Sequence, residues 1–326
     1  MIAILSTVIG IVFVMLLFSL LASSVMELIA GTLSLRGKQL ISALQGMLGD
    51  ATSDEFVEHP FFKQLAMGST QRAKVGGKKT ALPSYINPST FTAILLDIMN
   101  IDSKSNVAAK IEAIPDPASR KLAQFLYKQT DGELSQLKIK VDSWYSEVMD
   151  RASGAYKRSA QRWLISIGLA LAVVFNADVI NIYYNLSINA TLSNMVADQA
   201  TNFVHTQGVP VAANIDTPDM NAARQKIGVL VNENISALAS PLGLGWDSVD
   251  WSTINFKWWL YKIIGWLTTA LGVSLGATFW FEALKRLVNI RSSGPPPATT
   301  PAPALSTPEP ATVLESKSSD SKKAKG

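Results

Sequence analysis

The first 26 residues, Met1 to Met26, contain no Asp, Glu, Lys or Arg. A helix of that length reaches about 39 Å, more than the roughly 30 Å of hydrocarbon in a bilayer. Two further stretches, 163–177 and 263–281, are also free of charge. Three such runs point to an integral membrane protein and away from a large soluble core. The chain is 17% charged, against about 25% for soluble domains, and the deficit sits in these runs.

The first run, residues 1–30, rivals a secretory signal peptide. Such peptides carry a basic start and an apolar core of about 7–15 residues. Here Arg36 and Lys38 come after the run, and the core is too long. The expectation is an uncleaved anchor. The second run, 163–186, opens on Trp163 and closes on Tyr183 and Tyr184, as aromatic residues at headgroup level do. Asn176 and Asp178 interrupt it; Asp178 lies about 22 Å along from Trp163, in the outer third of the bilayer. The third run, 258–283, has Trp258, Trp259 and Tyr261 at one end and Phe279, Trp280 and Phe281 at the other. Gly272 and Gly276 form a GxxxG, the spacing that lets two helix backbones approach closely.

Charge sets the expected orientation. Residues 31–162 hold 18 basic and 13 acidic residues; residues 185–257 hold 3 and 6. Arg36, Lys38, Lys157, Arg158, Arg162, Lys285, Arg286 and Arg291 flank the runs on one side. The positive-inside rule makes that side cytoplasmic. The expected protein is all-α, with three transmembrane helices in a bacterial inner membrane. Its N-terminus is outside, 31–162 form a cytoplasmic helical region, 187–257 an extracytoplasmic loop, and 284–326 a cytoplasmic basic end and disordered tail.

Within 31–162, Leu40, Ile41, Leu44, Met47 and Leu48 keep helical spacing, and Gly49-Asp50 marks a stop. His59-Pro60 opens a short helix. Residues 68–88 lose periodicity and read as a loop. Asn87 or Ser89 caps a helix carrying Phe91, Ile94, Leu95 and Ile98. Pro115 and Pro117 separate two short helices, the later one with Leu122, Phe125 and Leu126. From Gly132, Leu134, Leu137, Val141, Trp144 and Val148 recur at steps of three and four, and this helix could run through Arg162 into the second membrane segment. The basic loop Arg72, Lys74, Lys78, Lys79 (72–79) is either solvated or in contact with anionic lipid headgroups. Nothing interleaves aromatics with basic residues as nucleic-acid modules do, so nucleic acid is not an expected partner.

The 187–257 loop is polar apart from an apolar helical stretch, Ala222 to Leu238, followed by Trp246 and Trp251, which could rest on the outer membrane face. Asn185, Asn189 and Asn234 open glycosylation triplets, a short and common pattern. The tail from Ser292 is rich in Pro, Ser, Thr and Ala and cannot bury a core.

The chain has no Cys and only two His, His59 and His205. Disulfides, thiolate metal sites and thiol catalysis are excluded. No nucleotide loop, zinc-protease helix or serine-hydrolase elbow occurs, and no cofactor or metal is expected. Ionisable residues near membrane segments are the default functional candidates: Glu27, Asp178, Lys262 and Glu282, the last within reach of Lys285 and Arg286. All four fall near the ends of the runs.

The stretches SSVMELIAGTLSLRGKQL, WYSEVMDRASGAYKRSAQ and LGATFWFEALKRLVNIR together resemble a family of uncharacterised bacterial inner-membrane proteins. The resemblance covers most of residues 1–291. It implies the same layout of an N-terminal span, a helical cytoplasmic region, two further spans and a variable tail, and it carries no activity. The residues themselves suggest that Asp150 pairs with Arg286 or its basic neighbours on the inner face. The expected function is a non-enzymatic anchor or scaffold that shows its helical region to a cytoplasmic protein partner, with the lipid bilayer and a second copy of itself as further partners. The alternatives are an oligomeric pore or transport component and, third, a membrane enzyme of unrecognised type.

Overall fold

A computed structural model describes residues 2–67, 69, 71–75, 77–102, 106–206, 220–247, 249 and 251–292. The Pro-rich tail from 293 therefore lies outside the described residues. The fold is almost wholly helical: α1 (Ile2–Thr32), α2 (Leu35–Glu58), α3 (Pro60–Leu65), strands β1 (Arg72–Val75) and β2 (Lys78–Ala81), α4 (Pro88–Ile98), α5 (Val107–Glu112), α6 (Pro117–Lys128), α7 (Leu134–Val174), α8 (Val179–Ile188), α9 (Ala190–Thr206), α10 (Met220–Val229), α11 (Ser236–Leu242), α12 (Phe256–Ser274) and α13 (Ala277–Ser292). A single wide turn, Leu230–Ile235, joins α10 to α11.

Two hydrophobic cores organise these helices. The first is centred on α1. Ile9, Phe13, Leu16, Leu17, Phe18 and Leu21 are buried against α7, α8, α9, α10, α12 and α13. The second packs α2–α6 against the first half of α7, around Phe56, Phe62, Phe91 and Tyr145. Here the rings do the filling: Phe91 stacks on Tyr145 at 4.4 Å, and Phe56 meets both Phe62 and Phe91. The Tyr145 hydroxyl, which burial would otherwise strand, donates to the Ile86 carbonyl at 3.0 Å.

The starts of the short helices follow the expected chemistry. His59 Nδ1 accepts from Phe61 N, Asn87 from Ser89 N, Asn106 from Ala109 N and Asp116 from Ser119 N. Each satisfies an amide that the first turn leaves without a partner. The run from Gly132 is a single helix of 41 residues, about 61 Å long, that enters both cores.

Several expectations change. Residues 68–88 are not merely a loop. They contain an antiparallel hairpin in which Arg72 pairs with Ala81 and Lys74 with Lys79, with Gly77 at φ +83°. On α6, Phe125 is 60% exposed, while Leu126 faces the core. The polar 187–257 region carries a 17-residue helix, α9, whose Val196, Ala197 and Ala200 pack on α1.

Among the described residues only α1 is by itself long and apolar enough to cross a membrane. The second run is broken between α7 and α8 with a 53° bend, and the third between α12 and α13 with a 90° bend. The described residues thus hold one such helix, or up to three by length and composition if each bent pair counts as one.

Candidate functional site

The break in the second run is built from local signals. Asn176 adopts a left-handed φ of +45°, and Ala177 N donates to the Ala172 carbonyl at 2.7 Å. Together these close α7 in the manner of a Schellman stop with Asn in the glycine position. Two residues on, Asp178 caps α8, accepting from Ile180 N at 2.9 Å and Asn181 N at 3.4 Å.

Asp178 is also half of a buried ion pair. Its Oδ2 is 3.4 Å from Lys262 Nζ, and the two side chains are 8% and 12% exposed. The sequence marks both residues as candidates, with Lys262 reaching outward to the interface and Asp178 partly hydrated. The structure instead turns them toward each other. What makes room is Gly265, whose added Cβ would stand 2.0 Å from Asp178 Oδ1. Thr269 completes the junction. Its hydroxyl accepts from Val179 N at 3.1 Å and donates to the Gly265 carbonyl at 2.9 Å.

Tryptophans cover this junction. Trp246 Nε1 donates to Val173 O, Gly245 N donates to Phe175 O, and Asn176 Nδ2 donates to Gly245 O. The carbonyls that end α7 are thereby satisfied by the segment after α11. Trp246 stacks with Trp251 and meets Trp266 edge-on, Trp266 meets Trp259, and Lys262 sits 5.7 Å from the Trp258 ring centroid. Trp246 is a structural lock here, where the sequence suggested a residue resting on the membrane face.

The two glycines of the GxxxG part company: Gly272 stands at a helix contact and Gly276 does not. Gly276 has φ +90° and is the break between α12 and α13, with open space where a Cβ would be. Gly272 does approach another helix, since its Cβ position lies 3.2 Å from Met15 Sδ. The close helix contact falls instead at Gly168, whose Cβ position is 3.2 Å from the Ala270 carbonyl oxygen. This contact joins α7 to α12 without using the GxxxG repeat.

The remaining candidates are dispersed. Glu27 is half-buried on α1 and Glu282 is exposed on α13; neither belongs to an ion pair among the described residues. No ion pair joins Asp150 to Lys285, Arg286 or Arg291 either. Arg291 instead meets Asp198 of α9 at 2.9 Å. Charge counting puts Asp198 outside and Arg291 inside, whereas the structure brings the two side chains together.

A second constellation, which no local signal along the chain assembles, stands where α1 ends. Ser34, left-handed at φ 51°, turns the chain from α1 into α2. Its hydroxyl accepts from Arg72 N at 2.9 Å, and Gly37 N donates to Gln71 Oε1 at 2.7 Å. A Cβ on Gly37 would lie 2.9 Å from that of Leu82. The hairpin is thus seated on the first turn after α1. Arg36 reaches α7 nearby, with its guanidinium carbon 5.4 Å from the Tyr156 ring centroid.

In the second core, an apolar cavity of about 50 Å³ opens between α2, α4, α6 and α7, walled by Met47, Leu96, Met99, Leu126 and Trp144. Of the two histidines, His59 is engaged through both ring nitrogens, with Phe61 N and with Asp97 Oδ2 at 3.0 Å. His205 is exposed at the end of α9. Among the described residues no group of three His, Asp or Glu could hold a metal ion. No family model, curated protein or solved structure matches this chain.

Proposed function

We propose that this chain is a non-enzymatic integral membrane protein that anchors a helical unit, α2–α6 with the first half of α7, and shows it to a protein partner in the cytoplasm of a bacterium. The reading is carried by the outer face of α12. Leu260, Ile263, Ile264, Leu267, Leu271 and Leu275 are each 45–59% exposed, beside exposed Val173 and Val174 of α7 and Ile180 of α8. Water-facing surfaces rarely carry a contiguous apolar patch of this size, and hydrocarbon is its natural solvent. Exposed Trp259 and Tyr261 suit the headgroup level at one end. On this reading the bent α7–α8 pair is the second membrane crossing, and the α12–α13 pair, bent by 90°, enters the bilayer and returns to the side it came from. The scaffold role rests on α7, which ties the membrane core to the second core without a hinge. The resemblance to bacterial inner-membrane proteins supports the same order of segments.

The charge count favours a cytoplasmic face for 31–162, with the start of α1 outside. The Arg291–Asp198 ion pair adds that the end of α13 and α9 share a side. Three measurements test the proposal. The full chain should resist alkaline extraction from membranes. A reporter inserted at 103–105 should be active only in the cytoplasm, and reporters placed at 210 and after Ser292 should agree with each other. A photo-crosslinker replacing exposed Phe125 should give one reproducible protein adduct. Free solubility without amphiphile would end the membrane reading, and crosslinking that yields no protein adduct would end the scaffold reading.

A further inference from the structure

Two acid-free stretches meet where α1 ends. Residues 28–49 contain no Asp or Glu, and neither do residues 59–96. The first contributes Arg36 and Lys38; the second contributes Lys63, Arg72, Lys74, Lys78 and Lys79. They are far apart in sequence, and the Ser34–Arg72 and Gly37–Gln71 hydrogen bonds bring them together. Two features make this more than a solvated basic loop. First, its place is fixed: the hairpin is bonded to the residue that begins two positions after the membrane helix stops. Second, the same acid-free region leaves large apolar side chains in the open. Leu33 lies at the corner, Phe61, Leu65 and Met67 on and just after α3, and Tyr85 beyond the hairpin, all 41–80% exposed. The acids beside this surface are Glu58, which Lys63 engages through an ion pair, and Asp97, which His59 engages at 3.0 Å.

We propose that this surface binds the anionic phospholipid headgroups of the bilayer that α1 enters, the basic residues taking phosphates and the exposed apolar side chains entering the interface. The proposal rests on the membrane reading above. Basic groups beside an anionic leaflet are attracted to it, and the attraction fades within a Debye length, so a hairpin pinned at the helix exit is in range where a free loop would not be held. An acidic protein segment would offer the charges but would leave the apolar residues at the corner of α1 without a role.

The absence of Cys gives a clean probe. Thr80→Cys in the full chain, carrying an environment-sensitive dye, is reconstituted into nanodiscs of phosphatidylcholine alone or with phosphatidylglycerol. Iodide quenching should fall at least threefold in the anionic discs and recover in about 0.5 M salt, where the Debye length is about 4 Å. Each of Arg72→Gln and Lys78→Gln should cost about fivefold in the bound-to-free ratio of the hairpin. Lys138→Gln, on the far part of α7, should cost nothing. Equal quenching in both discs, with the chain co-eluting with them, overturns the proposal and leaves the membrane reading intact. A chain that does not co-elute with discs overturns the membrane reading instead. Protection by millimolar inorganic phosphate in neutral discs would assign a soluble phosphate site and also overturn the lipid assignment. Unchanged circular dichroism of each variant excludes misfolding as the cause.

Discussion

The two cores hold together by different means. The core around Phe91 uses large rings and capped helix starts. The core around α1 also buries rings, with Phe13 edge-on to Phe203 and Phe18 edge-on to Phe175, but adds small residues and hydroxyls that tie distant helices together. Gly168 lets α7 approach the backbone of α12, and Gly10 lies against Leu186 of α8. Ser6, Thr7 and Ser19 of α1 donate to Asn194, the Leu186 carbonyl and the Val273 carbonyl, bonds that span 179 to 254 residues. On the membrane reading proposed above, the difference follows from the solvent. In water, burying a large ring is favourable by about 1.5–3 kcal/mol, so rings drive assembly. In hydrocarbon that drive is absent, and close packing with interhelical hydrogen bonds takes over.

Asp178 is the sharpest place to break the first kind of core. Asp178→Ala leaves Lys262 buried without its counter-charge and should cost about 3–5 kcal/mol, read as a lower melting temperature in detergent. Adding Lys262→Met should restore much of it, because the double variant strands no charge. Gly265→Ala should match the Asp178 single variant by expelling the same carboxylate. Full stability in either single variant would show that the ion pair does not form.

In the second core, Phe91→Ala should cost about 3–5 kcal/mol, measured by denaturant unfolding followed at Trp144. The first core should respond much less to the loss of a single polar contact. Ser19→Ala should cost about 0.6 kcal/mol, the average for hydrogen bonds between membrane helices. If Ser19→Ala proved as damaging as Phe91→Ala, the division between the cores would be wrong.

The smallest expected effect lies at the edge of the water-facing unit. The Lys63 ammonium beside Glu58 holds its carboxyl below the ordinary value of 4.5. The stabilisation is therefore present above about pH 4.5 and fades as pH falls through the folded-state value. Lys63→Gln should flatten that acid limb of the melting curve, with a small loss at neutral pH and none at low pH. At the opposite limit, burial pushes the Tyr145 phenol up. Stability should therefore decline above pH 10, and Tyr145→Phe should remove that alkaline component.

Periodicity and caps were readable along the chain because each is decided within a few residues. Leu137 and Val141 face the second core as their spacing predicts, and Asn87 caps α4. Asn176 and Asp178 were visible as interruptions of an apolar run, yet their meaning as stop and start of two helices required the φ at Asn176 and the amides of α8. Gly276 was misread for a related reason: a glycine can serve close contact or positive φ, and sequence does not distinguish them. The hairpin seat at Ser34 and Gly37 gave no local signal, because its partners lie more than 30 residues away.

By itself the sequence determined that the chain holds three apolar runs, that its charge is concentrated in 31–162, and that this charged region is mainly helical, since these follow from composition and short-range spacing. Only the tertiary structure decided that Asp178 and Lys262 face each other, that two of the runs bend, that Arg291 meets Asp198, and that two acid-free segments share one corner. Such pairings join residues distant along the chain, and the free energy that selects them exists only once the helices have packed.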